Sequence, residues 1–126
     1  MKRPSYKVII AGTRSFDDYS LLCSFCDKCL SRKGQTYDIV IVSGTARGAD
    51  RLGERYAYDR GYGIKRFPAD WRNNGKAAGI IRNTDMANYA DALIAFWDGQ
   101  SKGTLNMIET AKRKGLSVRI YNYNLI

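Results

Sequence analysis

Short β-branched runs alternate along this chain with longer amphipathic segments, and that alternation restricts the possible folds more than any other feature. Tyr6-Lys7-Val8-Ile9-Ile10-Ala11 stops at Gly12 and reads as a buried strand. Asp17 or Asp18 is placed to cap a helix that carries Leu22, Phe25, Cys26 and Cys29 on one stripe and ends at Lys33-Gly34. Asp38-Ile39-Val40-Ile41-Val42 is the second strand, followed by a helix over Ala49 to Arg60 closed by Gly61. Ile64-Lys65-Arg66-Phe67 is a more polar strand suited to a sheet edge. A polar loop from Pro68 to Gly75 precedes a helix ending near Tyr89-Ala90, and Ala92 to Trp97 is the fourth strand. Gly103-Thr104 opens a helix to Lys114, Gly115 caps it, and Val118 to Tyr121 is the last strand.

Five strands with four intervening helices predict an α/β protein, because parallel neighbours need crossover connections. Right-handed crossovers with both sheet faces covered give a three-layer, Rossmann-like, doubly wound parallel sheet. The 126 residues suffice for one core, so residues 1–126 are read as one domain, without linker or repeat.

Open parallel sheets bind ligands at the carboxyl ends of their strands, so the segments after each strand matter most. They are Gly12-Thr13-Arg14-Ser15-Phe16, Ser43-Gly44-Thr45-Ala46-Arg47-Gly48-Ala49-Asp50, Pro68-Ala69-Asp70-Trp71-Arg72 and Asp98-Gly99-Gln100-Ser101-Lys102-Gly103-Thr104. Glycine lets backbone N–H groups approach an anion, and a helix starting immediately afterwards adds unpaired N–H groups and a partial positive charge. The loops predict backbone phosphate contacts at Gly44–Gly48 and Gly103–Thr104, assisted by Arg14, Arg47 and Arg82. Thr13 and Thr45 add hydroxyls. Asp70, Trp71 and Asp98 are expected to meet the base or ribose. No segment matches a Walker A loop or the G-x-G-x-x-G dinucleotide fingerprint.

Composition narrows the chemistry. There is no histidine, which removes Ser-His-Asp and Cys-His nucleophilic machinery, His-ligated zinc and any imidazole base. Twenty-one Lys and Arg against twelve Asp and Glu leave +9, which favours an anionic partner. Cys23, Cys26 and Cys29 lack a fourth metal ligand and fit the apolar stripe of the first helix, so no metal is expected. No apolar run approaches the roughly 20 residues that span a bilayer. The basic start Met1-Lys2-Arg3-Pro4 is followed by too short an apolar run for a signal peptide, so a cytoplasmic protein without membrane partners is expected.

Three further segments complete a pattern: Ala69-Asp70-Trp71, then Gly75-Lys76-Ala77-Ala78-Gly79-Ile80-Ile81-Arg82-Asn83 with Met86, then Ala95-Phe96-Trp97-Asp98-Gly99 with Gly103-Thr104. With the first two loops, this ordered set resembles the YspA/YpsA-related branch of the SLOG superfamily, which also contains DprA/Smf and the Lonely Guy hydrolases. The resemblance runs from about Val8 to Val118. It implies a Rossmann-like sheet that binds a nucleotide or nucleotide-derived ligand, commonly as a homo-oligomer, in some members within bacterial or phage conflict systems. By motif match it implies a site lined by Gly12, Arg14, Ser43, Gly44, Gly48, Asp50, Arg82, Asn83, Gly103 and Thr104.

The Lonely Guy hydrolases carry a glutamate three residues after the Gly-Thr pair. Met107 stands there in this chain, and Glu109 is expected on a different side of the helix. Trp97-Asp98-Gly99 also replaces the Pro-Gly-Gly of those enzymes. The expected function is therefore capture of a phosphorylated nucleotide derivative, as a sensor or a sponge, with no required cofactor. One alternative is nucleotide N-glycoside hydrolysis, with Arg82 and one of Asp98, Asp70 or Asp50 as the working groups. The other is DprA-like binding of single-stranded DNA.

Overall fold

The computed structural model of the protein describes residues 3–123; Met1 and Lys2 of the basic start lie outside the described residues. Five strands form one all-parallel sheet: β1 (Ser5–Gly12), β2 (Asp38–Ser43), β3 (Gly63–Arg66), β4 (Ala92–Trp97) and β5 (Ser117–Asn122). Their order is β3-β2-β1-β4-β5. The chain therefore winds one way through β1, β2 and β3, then crosses back to β4 and β5. β1 and β4 meet at the reversal, in register from Val8 opposite Ala92 to Gly12 opposite Phe96.

Side chains alternate across this sheet as a period of two requires. Val8 and Ile10 point into a core shared with Leu22 and Cys26 of α1 (Tyr19–Leu30) and with Tyr56 and Ala57 of α3 (Ala49–Arg60). Ile9 and Ala11 point the other way, into a core with Met86 of α5 (Ala78–Tyr89) and with Met107, Ile108 and Ala111 of α6 (Lys102–Arg113). Helices cover both faces, which is the Rossmann-like, three-layer arrangement expected.

The helix ends follow local chemistry. The Asp18 carboxylate accepts the Leu21 N–H at 3.0 Å and sets the start of α1, which settles the choice between Asp17 and Asp18. Gly61, with φ of 72°, closes α3 where it was expected to. Two short helices were not expected among the described residues. The first helix stops at Leu30, and a separate turn, α2 (Lys33–Thr36), follows it. The segment read as a polar loop contains α4 (Trp71–Asn74), because Asp70 accepts the Asn73 N–H at 3.1 Å and caps it. A 3-10 turn (Gly75–Ala77) then leads into α5. Tyr56 is fully buried, and its hydroxyl donates to Asp27 at 2.6 Å. No described helix is long and apolar enough to cross a membrane.

Candidate functional site

The carboxyl ends of β1 and β4, where the strand order reverses, open into a pocket of about 290 Å³, near the lower end of the range for small-molecule sites. Two shallower depressions, of about 430 and 330 Å³, adjoin it. Arg14, from the loop after β1, lines all three.

Two glycines shape this edge. Gly48, at φ of 78°, brings the start of α3 against the β1 loop; a Cβ there would sit 2.4 Å from the carbonyl oxygens of Thr13 and Arg14. Gly44 separates two charged groups; a Cβ there would lie 2.7 Å from Arg82 Nη1 and 2.8 Å from Asp50 Oδ2. Between them Thr45 adopts φ of 66°, a left-handed conformation that a β-branched residue holds only at a cost.

Arg82 sits half-buried on α5 and is held by two protein acceptors. Its Nη1 donates to the Gly44 carbonyl, and its Nε donates to Asn83 Oδ1 at 3.0 Å. Asn83 is buried, and its Nδ2 donates to Asn106 Oδ1 at 2.9 Å on α6. The amide thus relays orientation from α6 to the guanidinium. Of the five N–H donors on Arg82, the remaining ones are available for a ligand. Burial lowers the Arg82 pKa, opposed by the nearby Asp50 carboxylate.

Asp50 lies in the first turn of α3 and is only 5% exposed, yet it lines the pocket. Its Oδ2 accepts the Ala46 N–H at 3.1 Å. Burial pushes the carboxyl up from 3.8 to about 6, against the lowering effect of the Ala46 N–H and of Arg82 and Arg14, with Glu54 pushing it further up. Its cationic neighbours are Arg82 and Arg14.

The other expected residues divide into those that reach the depressions and those that support them. Gly12, Asn83, Gly103 and Thr104 line the main pocket; Thr13 and Arg47 line the second depression, and Gly44, Thr45 and Arg47 the third. Trp71, 52% exposed, lines the main pocket and the third depression, with its ring edge 3.6 Å from the place a Gly79 side chain would occupy. Ser43, Gly48, Asp70 and Asp98 line none of the three. The Ser43 hydroxyl donates to Glu54 at 2.7 Å and accepts the Thr45 N–H at 3.0 Å. Asp70 caps α4, and its interactions with Asn73 lower its carboxyl pKa. Asp98 accepts the Gln100 and Ser101 N–H groups, both at 2.8 Å, and these hold its pKa below the usual range. Trp97 donates its indole N–H to the Ser101 carbonyl at 3.0 Å, a structural use.

The phosphate cradle expected along Gly44–Gly48 is partly spent, since the Thr45 and Ala46 amides already serve Ser43 and Asp50. At α6 the helix begins one residue earlier than expected. Ser101 is the cap, accepting the Thr104 N–H at 3.4 Å, and Lys102 and Gly103, the first residues of the helix, line the pocket.

The lining residues not singled out as ligand contacts include Lys76, Ile80, Asn106 and Arg51. Asn106 is three residues beyond Gly103, so helical spacing alone places it over the same opening. Arg51 is exposed, and its Nε donates to the Thr45 carbonyl at 3.3 Å. Met107, where the hydrolases carry glutamate, is buried and lines the pocket, while Glu109 is exposed.

The strand order, the reversal-point pocket and the glycine loops define a Rossmann-like protein with its candidate site at the carboxyl edge of the sheet. A sequence model of the YspA, cpYpsA-related SLOG family matches residues 6–74, and the chain belongs to that family. The Gene 61 protein of Mycobacterium phage D29 is 36% identical over 118 residues, covering 89% of this chain and 93% of that protein. Among solved structures, DNA processing protein A from Streptococcus pneumoniae superposes with a TM-score of 0.70 at 18% identity over 93% of this chain. The Helicobacter pylori protein of the same name, whose structure addresses its single-stranded DNA binding mode, gives 0.66 at 21% identity over 94% of this chain. The chain spans 50% and 65% of those two proteins, respectively.

Proposed function

We propose that this protein captures a nucleotide-type, phosphorylated small molecule in the pocket at the ends of β1 and β4, as a sensor or a sponge. One observation carries the reading. Arg14, Arg47, Arg51, Lys76, Arg82 and Lys102 line the pocket and its two neighbouring depressions against the single carboxylate of Asp50 among the described residues. Such an edge attracts phosphate, and the apolar wall of Ile80, Met86 and Met107 beside Trp71 suits a base. Membership of a SLOG family supports the same ligand class.

For the hydrolytic alternative, the geometry narrows the choice of carboxylate. Asp70 and Asp98 are committed to loop hydrogen bonds away from the pocket, which leaves Asp50.

Native mass spectrometry and absorbance of the purified protein test the proposal. A bound nucleotide is expected on the wild type and not on Arg14→Ala/Arg82→Ala. A single-stranded oligonucleotide is expected to bind weakly, with affinity that falls steeply with salt. If purified protein carries no nucleotide and gives no heat with a panel of nucleotides, the proposal fails. Tight oligonucleotide binding with no mononucleotide affinity favours the DNA-binding reading instead.

A further inference from the structure

Resting on the ligand class just proposed, we infer that Asp50 selects the ligand by accepting a hydrogen bond from a ribose hydroxyl, which turns the ribose toward α3 and the phosphate toward Arg14 and Arg47. The starting observation is an unfilled acceptor. Asp50 is about as buried as the surrounding core, and its Oδ2 is taken by Ala46. Its Oδ1 accepts no hydrogen bond from the described residues, yet it is not among their enclosed, partnerless polar atoms, so the open side of the carboxylate is the pocket that Asp50 lines.

The nearby cations do not fill that acceptor. No Lys or Arg nitrogen of the described residues lies within 4.0 Å of Asp50. Gly44 stands between Asp50 and Arg82, and Arg82 is held on the other side by the Gly44 carbonyl and by Asn83. A carboxylate oxygen open only to a pocket loses its solvent when a ligand fills that pocket, and a ligand that brings an O–H or N–H offsets the cost. Phosphate oxygens cannot do so, because at neutral pH they are acceptors and carry the same charge. A nucleotide's own donors are its ribose hydroxyls and the N–H groups of its base.

Position decides between these two. Arg14, which lines the main pocket and also the depression lined by Arg47, attracts the phosphate, and Ile80, Met86 and Met107 of the main pocket form the apolar wall for the base. Asp50 lines the main pocket together with Arg14 and these apolar residues; in any nucleotide the ribose lies between phosphate and base, so a ligand that meets both sets carries its ribose past the pocket's carboxylate. The sequence alone pointed to Asp70 or Asp98 for sugar or base contacts, but both are occupied with capping their own loops.

Titration calorimetry at pH 7.5 with the four ribonucleoside 5′-diphosphates and their 2′-deoxy and 3′-deoxy counterparts tests this. The wild type is expected to prefer at least one ribonucleotide over a deoxy counterpart by about tenfold or more, the scale of one hydrogen bond to a charged group. In Asp50→Asn that preference is expected to fall below about threefold, while inorganic pyrophosphate binds at least as tightly as to the wild type, because a like charge has gone. The comparison within the wild type needs no variant, and a thermal melt confirms that Asp50→Asn is folded. Equal binding of ribo and deoxy ligands by the wild type overturns the inference and leaves the proposed function standing. So does a ribose preference that survives in Asp50→Asn. A preference set by the exocyclic groups of the base, with indifference to the sugar, assigns Asp50 to the base and overturns it as well. If none of the nucleotides binds, both the inference and the proposed function fall.

Discussion

Among the described residues, two aspartate–arginine pairings set side chains of different helices against each other, and they are built in opposite ways. Asp27 of α1 and Arg60 of α3 make a closed contact: Arg60 Nε donates to Asp27 Oδ1 at 3.1 Å, Nη2 donates to Oδ2 at 3.0 Å, and the Tyr56 hydroxyl adds a third bond. These bonds hold the Asp27 carboxyl below its ordinary range. Asp50 of α3 and Arg82 of α5 face each other across Gly44 without closing, and burial pushes the Asp50 carboxyl up to about 6. The first pair ties two helices to each other. The second keeps two charges apart beside a pocket, each only partly hydrogen-bonded, an arrangement that costs stability and leaves donors and an acceptor for a ligand.

The largest expected difference between the pairs is in binding. Arg82→Ala removes the guanidinium that spans the β2 loop and α5, and is expected to weaken nucleotide affinity by about a hundredfold or more, on the scale of one or two charge-assisted hydrogen bonds. Arg60→Ala, on the far side of α3, is expected to leave affinity within about twofold. Calorimetry with the same ligand on both variants checks the contrast.

Stability is expected to change in opposite directions. The Asp50 displacement from 3.8 to about 6 corresponds to about 3 kcal/mol as an upper bound. Asp50→Asn is expected to stabilise the protein by about 2 kcal/mol at pH 7, after allowing for burial of the amide. The sign follows from proton binding. Between pH 3.8 and about 6 the folded state holds the Asp50 proton that the unfolded state has lost. This contribution therefore lowers stability as pH rises through that window, with Arg82, Arg14 and Glu54 as the charged neighbours that set it. Urea unfolding of wild type and Asp50→Asn is expected to give similar values near pH 4 and to diverge up to pH 6. Asp27, whose carboxyl is held low, contributes in the reverse sense: its stabilisation is present above the unfolded value and is lost as pH falls.

Gly44→Ala places a methyl against both Arg82 and Asp50. The guanidinium is a flexible group that can shift, so the fold is expected to survive while affinity drops by about tenfold. Smallest of all, Asp27→Asn is expected to cost about 1 kcal/mol in urea unfolding, since the pair is half exposed to solvent.

The contrast between the pairs also marks what the sequence makes legible. Strand runs such as Ile39 to Val42 and the stripe of α3 are local patterns, and α3 was bounded correctly from Ala49 to Arg60. The glycine-rich edge followed from the same periods, because carboxyl ends of parallel strands share one side of the sheet. The relay from Gly44 through Arg82 and Asn83 to Asn106 joins residues 38 and 23 positions apart, and no local pattern encodes it. Asp70 and Asp98 drew attention as carboxylates in strand-end loops, but a carboxylate two or three residues ahead of free backbone N–H groups tends to be used by them. The Asp70-to-Asn73 spacing was the available sign of α4. Asp50 could be placed in a first turn from sequence, but its burial depends on how the β2 loop and Arg82 close over the start of α3, which only the tertiary structure shows.

Backbone NMR of labelled protein titrated with each of the four ribonucleoside 5′-diphosphates puts the proposed pocket to the test. The largest amide shifts are expected at Gly12, Arg14, Ala46, Asn83 and Gly103, with Lys33 and Arg60 unmoved and the whole response lost in Arg82→Ala. Shifts centred on another surface, or no shift at millimolar ligand, would contradict the assignment of this pocket as the nucleotide site.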